Sequence, residues 1–232
     1  MMKSWQTKSG FTVYQLLGGR SNSYVITNGI DALVVDTGKL TSYSTLIARL
    51  QSLNIPLSAV RYLVLTHTHF DHCQAAAKFI ENSGCLVIAS VLEQEFAKRG
   101  FTPLPKGITP VTKVIARIAQ FLKQKWFSYA PFSVDIAVRE TYALNAPFEG
   151  IQIVATPGHS VGSISIIVDA ELAIVGDALF GVFPNTILPP YADDVDRMRQ
   201  SWRLLLNTSC STFLPGHGRA ISRELLNKKI GY

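Results

Sequence analysis

Six consecutive positions constrain this chain more than any others: His67-Thr68-His69-Phe70-Asp71-His72. Four of the six carry groups that ligate metals or move protons, and side-chain packing gives no reason to concentrate them. They follow directly on Tyr62-Leu63-Val64-Leu65-Thr66, a short apolar run that reads as a buried strand. The arrangement recurs. Residues 153–156 lead into Pro157-Gly158-His159-Ser160, residues 212–214 into Pro215-Gly216-His217-Gly218, and residues 173–176 into Asp177. All five histidines of the chain therefore stand in polar loops behind strand-like runs. Loops at the same ends of neighbouring strands converge on one sheet edge, where open α/β folds place their ligands.

Imidazole and carboxylate suit zinc, iron or manganese, and five imidazoles with two carboxylates suit two such ions. In an extended loop His67 and His69, at i and i+2, project to the same side. Asp71 and His72 fall where the turn into the next helix aims them at a neighbouring ion. Asp177 offers two oxygens and can bridge a pair of cations. The expected site is dinuclear, with a bridging water whose lowered pKa makes it a nucleophile. Asp36, in Val34-Val35-Asp36-Thr37-Gly38, either orients a ligand loop or makes a plain Asx-turn.

Composition narrows the frame. With 232 residues, 47% hydrophobic and 16% charged, the chain buries too much apolar surface to be disordered. No stretch approaches the roughly 18 apolar residues of a membrane span, and the first residues lack the apolar core of a secretory signal; a cytoplasmic protein is expected. Cys73, Cys85 and Cys210 form no disulfide framework and are expected reduced and buried. The net charge of +6 is local. Between 93 and 130 stand Lys98, Arg99, Lys106, Lys113, Arg117, Lys123 and Lys125, against Glu93 and Glu95. Such a segment, as one wall of a site, favours a small anionic substrate; it is too short to favour nucleic acid. Oligomeric state is not legible.

Strands are expected at 11–17, 24–27, 32–36, 60–65, 85–89, 151–155, 164–168, 172–175 and 212–214, with a hairpin at Asn28-Gly29. Helices are expected from 41 or 42 to about 53, at 74–82 ending near Gly84, at 193–206 and at 221–229. Alternation of this kind implies a layered α/β sandwich. Residues 111–127 have a helical period, with Val111, Val114, Ile115, Ile118, Leu122 and Trp126 on one face and Lys113, Arg117, Gln120 and Gln124 opposite. The first expectation is an amphipathic helix packed on the domain. A lid or pocket wall and a membrane-surface or dimer contact are the alternatives.

Thr66-His-Thr-His-Phe-Asp-His72, Thr156-Pro-Gly-His-Ser160, Gly176-Asp177 and Pro215-Gly-His217 resemble, in order, the motif set of the metallo-β-lactamase fold superfamily. The resemblance implies a four-layer αβ/βα sandwich of two mixed sheets flanked by helices, one domain over 1–232 with a helical basic insert at about 93–130. It implies that His67, His69 and His159 hold one metal, Asp71, His72 and His217 a second, and that Asp177 bridges them. It also implies a hydrolase in which the metal-bridging hydroxide attacks a small ester, thioester or lactone, Asp71 orienting that nucleophile and shuttling its proton. Zinc is the first choice of metal, with iron or manganese as alternatives. Departures narrow the branch. Class B β-lactamases lack an aspartate in the bridging role, and the best-known lactonases carry a tyrosine where Phe180 stands. Gly176-Asp-Ala-Leu-Phe180 is similar to the corresponding run of glyoxalase II, whose glutathione-holding C-terminal helices have no counterpart in the 15 residues after His217. A nuclease and a single-iron persulfide dioxygenase of this fold are the alternative readings.

Overall fold

The strands that carry the histidine loops are buried on both faces, and each face meets a different layer. In β5 (Val60–Val64) and the residue after it, Leu63 and Leu65 point towards helices while Val64 points towards the second sheet. The computed structural model describes residues 2–19, 21–121, 127–184 and 186–230. Its first sheet runs in chain order through β1 (Ser4–Gln6), β2 (Thr12–Leu17), β3 (Ser23–Thr27), β4 (Ala32–Val35), β5, β6 (Leu86–Ser90) and β7 (Ile136–Val138). Pairing is antiparallel up to β4 and parallel from β4 to β7, so the sheet is mixed. The hairpin expected at Asn28-Gly29 joins β3 to β4, and Asn28 accepts from the N–H groups of Ile30 and Asp31.

The second sheet holds β8 (Thr141–Ala143), β9 (Ile151–Ala155), β10 (Ile164–Val168), β11 (Leu172–Gly176), β12 (Thr212–Pro215) and β13 (Ile221–Ser222). Only β11 and β12 pair in parallel; the rest are antiparallel. Because β9 and β11 each run antiparallel to β10, the C-terminal ends of β9, β11 and β12 share one edge. There Ile164 N–H donates to Thr66 O across the sheets at 2.9 Å, and Asn22 N–H donates to Gly216 O at 2.6 Å.

The core between the sheets is built from Ile26, Leu33, Val35 and Val64 against Ile153, Ile164, Ile166 and Ile174. On the outer face of the first sheet, α1 (Tyr43–Ser52) and α3 (Ala76–Ser83) bury Leu46, Leu50 and Phe79. On the outer face of the second, α6 (Val195–Asn207) and α7 (Arg223–Ile230) bury Met198, Trp202, Leu205 and Leu226. The four layers are those expected. The remaining helices are α2 (Phe70–Cys73), α4 (Gln94–Arg99) and α5 (Pro110–Phe121). Gly84, at φ 68°, ends α3 in the left-handed conformation.

Several boundaries differ from the sequence reading. The helix expected at 74–82 is two, α2 and α3, and α2 begins inside the histidine motif. Residues 221–222 pair with β12 before α7 starts. The expected packing of the 111–127 helix is corrected. In α5, Val111 is 68% exposed, Val114 56%, Ile115 48% and Ile118 52%, while Ala116 is buried. The periodicity marks a face correctly, but that face meets no described layer of the fold. Leu122, Lys123, Gln124, Lys125 and Trp126 lie outside the described residues. The three cysteines are buried and free, as expected, and no described helix is long and apolar enough to cross a membrane.

Candidate metal centre

Each loop at the shared edge is fastened by the element beside it. His69 precedes α2 in extended conformation, and the turn of α2 then carries Asp71 and His72. The His72 carbonyl accepts N–H bonds from Thr37 (2.8 Å) and Gly38 (3.1 Å), tying the motif to the end of β4. Asp194, which caps α6 by accepting from Arg197 N–H, donates its own N–H to Gly158 O. Ser201 of α6 donates to Pro157 O, and Trp202 donates to Ala178 O, one residue past Asp177. Tyr24 and Asn22 both donate to Pro215 O at 2.8 Å, and Asn22 also reaches Gly218 O, so the His217 loop is held from the first sheet.

The ring nitrogens divide into outward and inward groups. His67 Nδ1 is 3.1 Å from Thr66 Oγ1, which itself donates to Asp36, so the ring donates outward. His69 Nε2 faces Pro103 O (3.2 Å), His159 Nδ1 faces Tyr191 O (2.9 Å) and His72 Nδ1 faces Asp36 Oδ2 (2.8 Å). All three partners can only accept, so these rings donate outward too. Four histidines thus turn an opposite nitrogen, with its lone pair, towards the same centre. His69 Nδ1 and His159 Nε2 approach to 3.0 Å and His72 Nε2 and His217 Nε2 to 3.3 Å.

Three sets place their ligand atoms within 4.8 Å of one another: His67, His69 and His159; His67, His72 and Asp177; Asp71, His72 and His217. Asp177 stands between the outer sets, 3.5 Å from His159 Nε2 and 3.3 Å from His217 Nε2 through Oδ2, and 3.5 Å from His72 Nε2 through Oδ1. His67 Nε2 and Asp177 Oδ1 are buried with no hydrogen-bond partner. The lone pairs that His69 and His159 turn on each other at 3.0 Å, and the buried unpartnered acceptors, are costly alone. A shared cation satisfies both conditions, so the donor set fits divalent metals.

Electrostatics divide the centre. Burial and the neighbouring His72 and His69 rings hold His67 well below the ordinary imidazole range, and burial and His159 hold His69 at about 3. Burial works against charge on His72 and His217 as well, but nearby carboxylates outweigh it. Asp177 and Asp71 raise His72 to about 9 and His217 to about 10, with Asp36 adding to His72. Burial alone would raise Asp71, yet His72 and His217 bring it to about 2; Asp177 is likewise held low by His217, His72 and His159.

Two acids support the centre without entering it. Asp36, at φ 57°, turns its carboxylate back to accept from Thr66 N–H and Oγ1 as well as His72, so it orients a candidate ligand and is no simple Asx-turn. Glu93 reads in the sequence as one of two acids in a basic segment; here it is fully buried. It accepts from Thr68 N–H (3.1 Å), Thr68 Oγ1 and Ser160 Oγ (2.8 Å), joining the His67–His69 loop to the His159 loop. Burial pushes its pKa up while these donors pull it back. No local pattern in the sequence marks it. Behind His72, Gly216 packs so closely that a Cβ there would lie 2.6 Å from His72 Cε1.

The centre opens into a cleft of about 330 Å³ whose floor is His69, Asp71, His159, Asp177 and His217. Phe180 lines it with its ring 5.3 Å from that of His217. The 93–130 segment does supply part of the cleft wall, through Leu104, Pro105, Ile115, Ala116 and Phe127, but not with its described cations. No Lys or Arg is among the described residues lining the cleft; Lys106, Lys113 and Arg117 line a separate groove that shares only Ala116 with it. Lys98 and Arg99 pair with Glu95, and Lys123 and Lys125 lie outside the described residues.

Comparison with known proteins agrees with this geometry. Residues 16–217 match the family described as the metallo-beta-lactamase superfamily. The chain belongs to that superfamily. A probable metallo-hydrolase of Methanocaldococcus jannaschii is 27% identical over 217 residues, 87% of this chain and 89% of that protein. The hydroxyacylglutathione hydrolase GloC of Haemophilus influenzae is 28% identical over 151 residues, 65% of this chain and 62% of its own length. A subclass B3 metallo-β-lactamase of Bradyrhizobium japonicum superposes with a TM-score of 0.65 at 20% identity, covering 88% of this chain and 74% of that one, a likeness of fold alone. Family and relatives together support a metallo-hydrolase, and the His/Asp clusters supply its candidate metal ligands.

Proposed function

We propose that this chain is a dinuclear metal-dependent hydrolase of a small ester, thioester or lactone. The observation that carries the reading is the inward convergence of imidazole lone pairs on Asp177, with the outward nitrogens already engaged. In this reading His67, His69 and His159 hold one cation, Asp71, His72 and His217 hold the other, and Asp177 lies between them. When bound, the pair of cations, zinc first among the candidates, supplies an activated water and positive charge for a developing oxyanion. The residues of the chain do the rest. Asp71, on the cleft floor, orients the incoming water and accepts its proton at a carboxylate oxygen. Asp36 and the carbonyls of Pro103 and Tyr191 fix the tautomers and keep His72, His69 and His159 from rotating. Phe180 shields the His217 side of the floor from solvent.

The complete second trio, Asp71, His72 and His217, weighs against a one-iron dioxygenase. The absence of cations from the described cleft lining weighs against a nuclease. The test is metal analysis of the purified full chain with a panel of thioesters, lactones, β-lactams and phosphodiesters. Two equivalents of metal and turnover confined to carbonyl substrates support the reading. Phosphodiester cleavage alone, or one iron per chain, overturns it.

A further inference from the structure

The floor of the cleft is polar, but its walls are not. Phe70, Leu104, Pro105, Ile115, Phe180 and Pro190 rise around the His/Asp floor, and among the described lining residues beyond that floor only Tyr191 carries a polar side-chain group. Phe70 and Phe180 come from the histidine motif and the loop after β11, whereas Ile115 comes from α5. A carbonyl placed over the floor must direct its substituents along these walls. A charged substituent there would lose its water with no described ion partner, which is costly. An aliphatic or aromatic one would bury surface on several sides. Three cations of the basic segment, Lys106, Lys113 and Arg117, lie across Ala116 in the neighbouring groove, outside the path of such a group.

We propose that the acyl side of the substrate is an uncharged, apolar chain or ring held between α5 and the Phe70 and Phe180 rings. This rests on the hydrolase reading of the floor, and it reassigns Ile115, whose exposed position otherwise has no function. The alcohol or thiol leaving group departs through the open side of the cleft. Hydrolysis leaves the acyl group as a carboxylate, so product acids report the subsite without requiring turnover.

The experiment measures binding of straight-chain carboxylates, acetate to octanoate, to the zinc-loaded full chain by calorimetry, with adipate as a charged-tail control. Each buried methylene is worth about fourfold in affinity, so hexanoate should bind at least ~30-fold more tightly than acetate. Hexanoate should exceed adipate by tenfold or more. Ile115→Asp should flatten the series, whereas Val111→Asp, on the same helix but not lining the cleft, should leave it unchanged. A flat series, equal binding of adipate and hexanoate, or a gradient that survives Ile115→Asp overturns the proposal. A parallel thioester series separates the two readings. Graded binding without turnover sinks the hydrolase assignment and leaves the apolar subsite; turnover with flat binding does the reverse.

Discussion

The floor of the cleft and the helix beside it are stabilised in opposite ways. On the floor, the outward nitrogens of four histidines each have a named partner, Thr66 and Asp36 at strand ends and the carbonyls of Pro103 and Tyr191 in loops, and backbone bonds from neighbouring elements fasten the loops themselves. In α5 the apolar residues Val111, Val114, Ile115 and Ile118 are about half exposed or more, and among its residues of described burial only Ala116 is buried. One region is fixed by many directional bonds that depend on each other; the other is held by little. Substitutions should therefore carry very different consequences in the two regions, and the gradient between them is measurable.

The largest effect is expected at Asp177. Removing it leaves His72 and His217, both biased towards protonation, without their main counter-charge, and takes away the group between the two ligand trios. Asp177→Ala should lower hydrolysis at least ~100-fold and reduce bound metal below two equivalents per chain, read by activity and elemental analysis. Full activity with full metal content would break the contrast at its strongest point. Asp36→Asn should act one step further out. The amide cannot accept from His72 and both Thr66 donors at once, so a loss of about 10–100-fold in metal affinity or activity is expected, measured by competition with a chelator.

Glu93 sharpens the comparison because it touches no proposed ligand, yet joins two loops that carry them. Glu93→Ala leaves Thr68 N–H and the Thr68 and Ser160 hydroxyls without their acceptor in a buried place. The expected cost is about 3 kcal/mol, a Tm drop of roughly 6–12 °C for a chain of this size. Glu93→Gln retains one acceptor oxygen and should recover part of the stability. If Glu93 positions the loops, Glu93→Gln should still show weakened metal affinity after its stability is mostly restored. Metal affinity that simply follows Tm would mark it as structural only.

The difference between the regions also explains what was legible in the sequence. His67, His69, Asp71, His72, His159, Asp177 and His217 stand out in the sequence as candidate ligands because their loops follow apolar runs, and the strand ends that carry those loops share an edge. Asp36 was legible as a choice, which its 2.8 Å contact to His72 decides. Glu93 was not legible, since an acid among seven cations reads as a solvated charge until the fold places Thr68 and Ser160 around it. β1, β7 and β8 have three residues each, too few to carry a period, and their pairing is set by neighbours far along the chain. The described members of the α5 stripe, Val111, Val114, Ile115 and Ile118, are all exposed. A period identifies a face and says nothing about what meets it.

That stripe gives the smallest expected effect and the clearest way to break the comparison. Val111 and Val114 are more than half exposed, so replacing them with Asp removes little buried surface and adds charge where water already reaches. The double substitution should change stability by no more than about 0.5 kcal/mol, typical of surface sites, and leave metal content unaltered. Burial of the same two side chains against another layer would instead cost several kcal/mol for two buried charges without partners. Denaturant unfolding separates these outcomes, since the first leaves the midpoint almost unmoved and the second shifts it strongly. An unmoved midpoint combined with a flattened carboxylate series in Ile115→Asp would show that α5 acts on what enters the cleft, one turn away from residues that bear on neither stability nor metal.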